Sequence, residues 1–155
     1  MDISSSIFIL SLKSLILAVV LGALIGLERE WAQKEAGLRT FSLISLGAAL
    51  FIIISRLSFS QYLGISSLDP SRTLGQIIVG IGFLGAGIII FQRKEGIVKN
   101  LTTAAMIWVT AAVGAAVGLE LYLLAISATI LILLINFVVL PFEKRIEKKN
   151  SGNKR

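Results

Sequence analysis

The chain has 155 residues, of which 55% are apolar, and its mean hydropathy is +0.89. It contains no cysteine and no histidine, which excludes disulfides, thiolate chemistry, Cys/His metal sites and a histidine general base. The net charge of +6 does not indicate nucleic-acid binding, because the basic residues cluster in the connections between apolar segments and in the tail.

Five long apolar segments, each bounded by charged or turn residues, make up most of the sequence. A helix needs about 20 mostly apolar residues to cross about 30 Å of hydrocarbon. In lipid, the backbone N–H and C=O groups must be hydrogen-bonded within the protein. Apolar segments without period-2 alternation form these bonds as helices rather than as barrel strands. The predicted spans are Ile7–Leu27, Phe41–Ser55, Thr73–Phe91, Leu101–Leu119 and Leu121–Leu140. We therefore predict an all-α, polytopic membrane protein with a bundle of five transmembrane helices over residues 1–141 and a basic cytoplasmic tail over 142–155.

The distribution of basic residues predicts the orientation of the bundle. Twelve of the 15 Lys and Arg residues lie in the first loop, the third loop and the tail, whereas only Arg56 and Arg72 flank the second loop. By the positive-inside rule, we expect the N-terminus outside and the C-terminus in the cytoplasm, in the cell (inner) membrane. The first span has no basic segment before it and no small-x-small cleavage site, so we expect a retained helix rather than a signal peptide. The basic residues also predict attraction to anionic lipid headgroups.

Local signals predict where the helices begin and end. The i,i+4 spacing of Glu30 and Lys34 predicts that the first helix continues beyond the membrane until Gly37. Thr40 is a candidate N-cap of the second helix, and Asp69 before Pro70 has the pattern of an N-cap that opens the third.

Glycines in three of the spans predict close helix packing, either within the bundle or against a second copy of the chain. They are Gly22, Gly26, Gly80, Gly82, Gly85, Gly87, Gly114 and Gly118. The run Gly80–Gly85 also matches the dinucleotide-binding pattern G-x-G-x-x-G. We reject a nucleotide site because these glycines lie inside an apolar span without a strand–turn–helix context.

Six motifs in this order resemble the membrane domain of the MgtC/SapB family. They are GALIGLERE (22–30), AGLRT with the following SLISLGAAL (36–50), DPSR (69–72), GIGFLGAGI (80–88), NLTTAA (100–105) and IWVTAAVG (107–114). The resemblance covers roughly Leu15–Leu119. It implies an inner-membrane protein connected with growth in low magnesium and survival inside host cells. Some members are described as regulators that inhibit the F-type ATP synthase, and magnesium transport by the family itself is doubted.

The chain departs from the family pattern in two ways. Asn100 stands where the family usually has glycine before LTTAA. Typical members continue into a cytosolic C-terminal domain, and we expect this chain to be a short member without it. A role that rests on that domain is therefore not carried over.

A cytoplasmic cluster is the first candidate site. Its members are Glu28, Arg29, Arg39, Thr40, Thr102 and Thr103. Because the second and fourth helices are expected to begin here, their unpaired N–H groups favour an anion, such as a phosphate or an acidic group of a partner. The alternative is structural: the threonines cap helices and Glu28 pairs with Arg39.

The remaining candidates are single polar residues at the outer side and inside the membrane. Asp69, with Arg72 nearby, could hold a hydrated Mg²⁺ through water or simply cap a helix. Three polar residues lie within the spans: Lys13, Gln76 and Asn136. Each is a candidate functional residue. The structural alternative is snorkelling for Lys13 and an interhelical hydrogen bond for Gln76 and Asn136.

No acidic residue lies deep in any span, which argues against a proton- or cation-coupled transporter. We therefore expect a non-enzymatic protein without a cofactor, regulating another membrane complex, with a small Mg²⁺ transporter or channel as the alternative. The expected partners are the bilayer, that complex and a second copy of the chain, and not nucleic acid.

Overall fold

A computed structural model describes residues 3–59, 71–91 and 100–152. These residues form five helices and, within these three ranges, no strand. The helices are α1 (Ile3–Trp31), α2 (Leu38–Phe59), α3 (Ser71–Phe91), α4 (Leu101–Gly118) and α5 (Tyr122–Gly152). All five are long and apolar enough to cross a membrane, so the predicted all-α class and the number of spans are confirmed.

The connection between α1 and α2 differs from the prediction. Helix α1 ends at Trp31, and Gln33 adopts the left-handed conformation with φ of 53°. The Lys34 N–H donates to the Arg29 carbonyl at 3.0 Å, which is the bonding of a Schellman helix end with glutamine in the place usually taken by glycine. The prediction that α1 continues to Gly37 is therefore wrong.

The start of α2 also lies earlier than predicted. The helix begins at Leu38, so Thr40 lies inside its first turn and is not the N-cap. The cap is supplied from α1, because Glu30 Oε2 accepts the Leu38 N–H at 3.1 Å. A carboxylate is favourable at a helix N-terminus, where the free N–H groups carry partial positive charge.

Helices α1, α2 and α4 form the tightly packed part of the bundle through four glycines. A Cβ atom added at Gly22 would lie 2.6 Å from the Phe41 carbonyl oxygen of α2, and one at Gly118 would lie 2.7 Å from the Ala49 oxygen. Gly26 meets the backbone of residues 37 and 38 equally closely, and Gly114 meets the Ser45 carbonyl. Helix α2 therefore contacts both α1 and α4 at very close range, and Ser45 of α2 meets glycines of both helices.

Helix α3 lies at the margin of the bundle. Only 6% of its apolar span is buried, against 56% of the α4 span. A Cβ added at Gly80, Gly82 or Gly87 would meet nothing within 4 Å, and one at Gly85 would only touch Ala104 at 3.7 Å. The GIGFLGAGI segment of α3 therefore leaves most of its glycine surface uncovered within the chain.

Helix α5 runs parallel to α1 and is joined to it at two levels. The hydroxyls of Ser14 and Tyr122 lie 2.9 Å apart, and Asn136 Nδ2 donates to Glu28 Oε2 at 3.1 Å. Both pairs join residues that are 108 positions apart, so the two helices keep the same register over about 21 Å at about 1.5 Å per residue.

Candidate functional site

The site with the greatest concentration of buried polar groups is an ion pair near the C-terminal end of α1. Arg29 Nε and Nη2 donate to Glu28 Oε2 and Oε1, each at 2.6 Å. The Arg29 side chain is 1% exposed and that of Glu28 is 12% exposed. A buried charge is tolerated when it is paired and hydrogen-bonded, and here two neighbouring residues of one helix neutralise each other.

Two further helices complete this site. Asn136 of α5 donates to Glu28 Oε2, and the same amide lies 3.4 Å from the sulfur of Met106 on α4. The Glu28 carboxylate thus accepts three hydrogen bonds, two from Arg29 and one from Asn136. Glu28 and Asn136 were predicted as separate candidates, and the structure brings them together in what we call the Glu28 site (Glu28, Arg29, Met106 and Asn136).

The other predicted members of the cytoplasmic cluster do not join the Glu28 site. Arg39 is exposed, and the alternative in which it pairs with Glu28 is wrong, because Arg29 occupies both carboxylate oxygens. Thr103 is buried on α4 and Thr102 beside it is exposed. The N-cap position of α4 belongs to Asn100, whose φ is 66°.

Acidic side chains of the chain itself lie at the starts of α2 and α4. Glu30 accepts the first N–H of α2, and Glu35 Oε2 accepts a hydrogen bond from Asn100 Nδ2 at 3.2 Å. An external anion at the start of α2 would compete with the Glu30 carboxylate, which argues against a phosphate pocket there. The structural alternative is not formed as predicted either, because the threonines are not the N-caps and Glu28 pairs with Arg29. Asparagine is common at N-caps, and Asn100 directly precedes an apolar span, so its N-cap position could have been identified from sequence. The hydrogen bond from the Leu38 N–H to Glu30 across the loop could not.

The opposite end of the bundle holds an exposed ion pair that the sequence did not suggest. Arg56 Nη2 lies 2.6 Å from Glu120 Oε1, and Arg56 Nη1 donates to the carbonyl of Gly118 at 3.3 Å. Glu120 has φ of 63° in the turn between α4 and α5. Both side chains are more than 40% exposed, and pairs of that kind contribute at most about 1 kcal/mol.

The remaining predicted polar residues are dispersed. Asp69 lies outside the described residues, and Arg72 is exposed at the start of α3. Lys13 is exposed on α1, while Gln76 lines a groove of about 620 Å³ between α2 and α3. Over the described ranges, no group of three or more His, Cys, Asp or Glu side chains is placed to hold a metal ion.

These observations define the class of protein: a multi-pass, all-helical membrane protein whose two described ion pairs lie at opposite ends of the bundle. Comparison with known sequences gives the family. The model of the MgtC family matches residues 15–145, and this chain belongs to that family. The predicted resemblance is thereby confirmed, and the matched region extends beyond Leu119 through most of α5.

Curated relatives cover most of this chain. It is 45% identical over 138 residues to the protein named "Putative magnesium transporter YhiD" of Escherichia coli K12, covering 88% of this chain and 63% of the relative. It is 43% identical over 136 residues to "Protein MgtC" of Salmonella typhimurium LT2, covering 87% and 54%. The chain thus spans between about half and two thirds of these relatives. No solved structure matches it.

Proposed function

We propose that this protein is a non-enzymatic regulator that acts on another membrane complex during adaptation to low magnesium, with the membrane part of the F-type ATP synthase as the first candidate partner. The family membership and the name of the Escherichia coli relative support a connection with magnesium. The inner membrane is the proposed location, with the N-terminus outside and the tail in the cytoplasm.

The state of Glu28 is the observation that carries the proposal. A pathway for Mg²⁺ needs oxygen ligands that are free to exchange with water around the ion. Glu28 instead accepts hydrogen bonds from Arg29 and Asn136, and the Arg29 charge neutralises it. Binding of a cation at this carboxylate would require the buried Arg29 to lose its partner, which is strongly unfavourable.

The uncovered face of α3 supports the partner part of the proposal. Gly80 of α3 and Gly47 of α2 both border the groove between these helices, and neither has a neighbour within 4 Å of its Cβ position. Glycine at such positions allows the backbone of a further transmembrane helix to approach closely. A helix of the target complex, or a second copy of this chain, fits such a groove.

A transporter or channel for Mg²⁺ remains the alternative, and the name of the Escherichia coli relative favours it. The decisive experiment is Mg²⁺ uptake into sealed proteoliposomes that contain only this protein. We expect uptake no faster than in empty liposomes, from protein shown to be folded by gel filtration after re-extraction. Uptake well above that level, abolished by Asp69→Asn, would establish transport and refute the regulator.

Photo-crosslinking in cells tests the proposed contact surface. Leu84 of α3 lines the groove and is 49% exposed, and Leu123 on α5 is 83% exposed, so a photoreactive amino acid at either position reports on a different face of the same bundle. We expect a crosslink from position 84, and not from 123, to a subunit of the ATP synthase membrane sector. Equal crosslinking at both positions, or none to that complex, contradicts the proposal.

A further inference from the structure

Helix α3 lies between two open spaces of the bundle. One is the groove of about 620 Å³ toward α2, and the other is an apolar cleft of about 240 Å³ between α3, α4 and the start of α5. Ile77 and Ile81 border both spaces, and they pack against a cluster that includes Ala48, Ala111 and Ala115. Helix α3 therefore rests on a narrow ridge, which we call the α3 ridge (Ile77 and Ile81).

The helical register places the two spaces on opposite sides of the α3 ridge. At about 100° per residue, Gln76 and Gly80 precede the ridge residues around the helix, and Ile78 follows them. In agreement with this order, Gln76 and Gly80 border the groove toward α2, whereas Ile78 borders the cleft. A roll of α3 on its ridge therefore narrows one space as it widens the other.

Few contacts oppose such a roll. Among the described residues, one side-chain hydrogen bond joins α3 to another helix, with the hydroxyls of Ser55 and Thr73 lying 2.9 Å apart. Toward the other end of α3, a Cβ added at Gly85 would lie 3.7 Å from the Ala104 side chain. These two contacts are about 18 Å apart along α3 and can serve as the ends of a roll axis. In lipid, acyl chains fill whichever space widens, so the roll exposes no apolar surface to water.

We infer that α3 rolls on its ridge between two positions and thereby opens and closes the groove toward α2. The closed position brings Gly80 to Gly47 of α2, and neither glycine has a side chain to prevent the contact. The open position brings Ile78 toward Leu124 of α5 and makes room for a further transmembrane helix in the groove. The motion is independent of the proposed function, but its regulatory role rests on that function, because it requires the groove to receive the partner helix.

Pairs of introduced cysteines test the motion, since the chain has no thiol of its own. Gly47→Cys with Gly80→Cys reports on the closed position, and Ile78→Cys with Leu124→Cys reports on the open one. A disulfide brings two Cβ atoms to about 3.5–4.5 Å, so each space must close before its pair can react.

The measurement is the loss of both thiols to a maleimide reagent after mild oxidation in proteoliposomes. We expect both pairs to form disulfides at least about fivefold faster than the control pair Gly47→Cys with Leu124→Cys, whose positions border different spaces. Failure of either pair in folded protein, or an equal rate for the control pair, would overturn the motion.

A variant that fills the cleft separates a roll from general disorder of α3. Ala112 borders the cleft and is exposed, so Ala112→Phe occupies this space without displacing the core. We expect it to slow the disulfide between positions 78 and 124 by about fivefold or more and to leave the one between 47 and 80 intact. Unchanged rates for both pairs, or equal slowing of both, would contradict the roll.

Photo-crosslinking from position 84 in the two locked variants tests the regulatory role. We expect the disulfide between positions 47 and 80 to abolish the crosslink to the ATP synthase membrane sector and a reductant to restore it, whereas the disulfide between 78 and 124 preserves it. A crosslink that persists in the closed lock overturns the regulation. Absence of the crosslink from the cysteine-free chain refutes the proposed function and the regulation with it, while the disulfide rates still decide whether α3 rolls.

Discussion

At the scale of single residues, the Glu28 site shows how a charged pair is accommodated inside a helical membrane protein. Removing one partner of a buried ion pair costs about 3–5 kcal/mol because the other charge remains uncompensated, whereas replacing both is often nearly neutral. Arg29 is almost completely buried, so we expect the removal of one partner of this ion pair to have the larger cost. Asn136 adds a contact that makes the same carboxylate part of the α1–α5 interface.

We therefore predict that Arg29→Met destabilises the protein by about 3 kcal/mol or more. The double variant Glu28→Gln with Arg29→Met should recover much of this loss, because no unpaired charge remains. The measurement is the fraction of each variant that stays monodisperse in detergent after heating over a series of temperatures. A double variant as unstable as the single one would show that the lost energy comes from packing rather than from the unpaired charge.

At the scale of the helices, the bundle has a tight centre and two loosely attached members. Helices α1, α2 and α4 meet where Gly22, Gly26, Gly114 and Gly118 leave no room for a side chain. Helix α3 leaves most of its glycines uncovered, and α5 exposes most of its apolar residues. In lipid, apolar exposure costs nothing by itself, so polar contacts and close packing decide which helices stay together.

The two contacts between α1 and α5 are expected to act independently. Tyr122→Phe removes the hydroxyl that meets Ser14, and Asn136→Leu removes the amide that meets Glu28. Each should cost about 0.6–2 kcal/mol of stability, and the effects should add because the sites are about 21 Å apart.

A double-mutant cycle from unfolding in mixed micelles measures the effects of these two substitutions. Ser127→Ala, at an exposed position of the same helix, serves as the control and should have no effect. A coupling energy well above about 0.5 kcal/mol would mean that the α1–α5 register forms and breaks as one unit.

At the scale of the whole molecule, the orientation in the membrane is a prediction that follows from charge alone. The absence of cysteine makes the test direct, since every introduced cysteine is the only thiol in the chain. Lys34 in the α1–α2 connection and Ser58 near the end of α2 are both exposed and lie at opposite ends of one helix.

With a membrane-impermeant thiol reagent, we expect Ser58→Cys to be labelled in intact cells and Lys34→Cys only after permeabilisation. Both variants should be labelled equally in detergent, which controls for reactivity. The reverse pattern would place the N-terminus and the basic tail on the sides opposite to those predicted.

The sequence by itself determined the class of protein, the number of helices and the family. The bilayer imposes the class and the number of helices on the chain, because each crossing needs about 20 apolar residues and every backbone group must be paired within the helix. The family motifs are short runs of sequence, and they were recognisable without coordinates.

Only the tertiary structure decided how the polar residues are paired and which glycines are covered. A span that is apolar on all sides has no periodicity to distinguish the face toward lipid from the face toward a neighbour. Gly114 and Gly80 therefore look alike in sequence, yet one contacts the Ser45 backbone and the other is open. Likewise, the only partner for Glu28 that we considered from sequence was Arg39. Arg29 is its partner in the structure, because the fold buries Arg29 beside Glu28 on α1 and leaves Arg39 exposed.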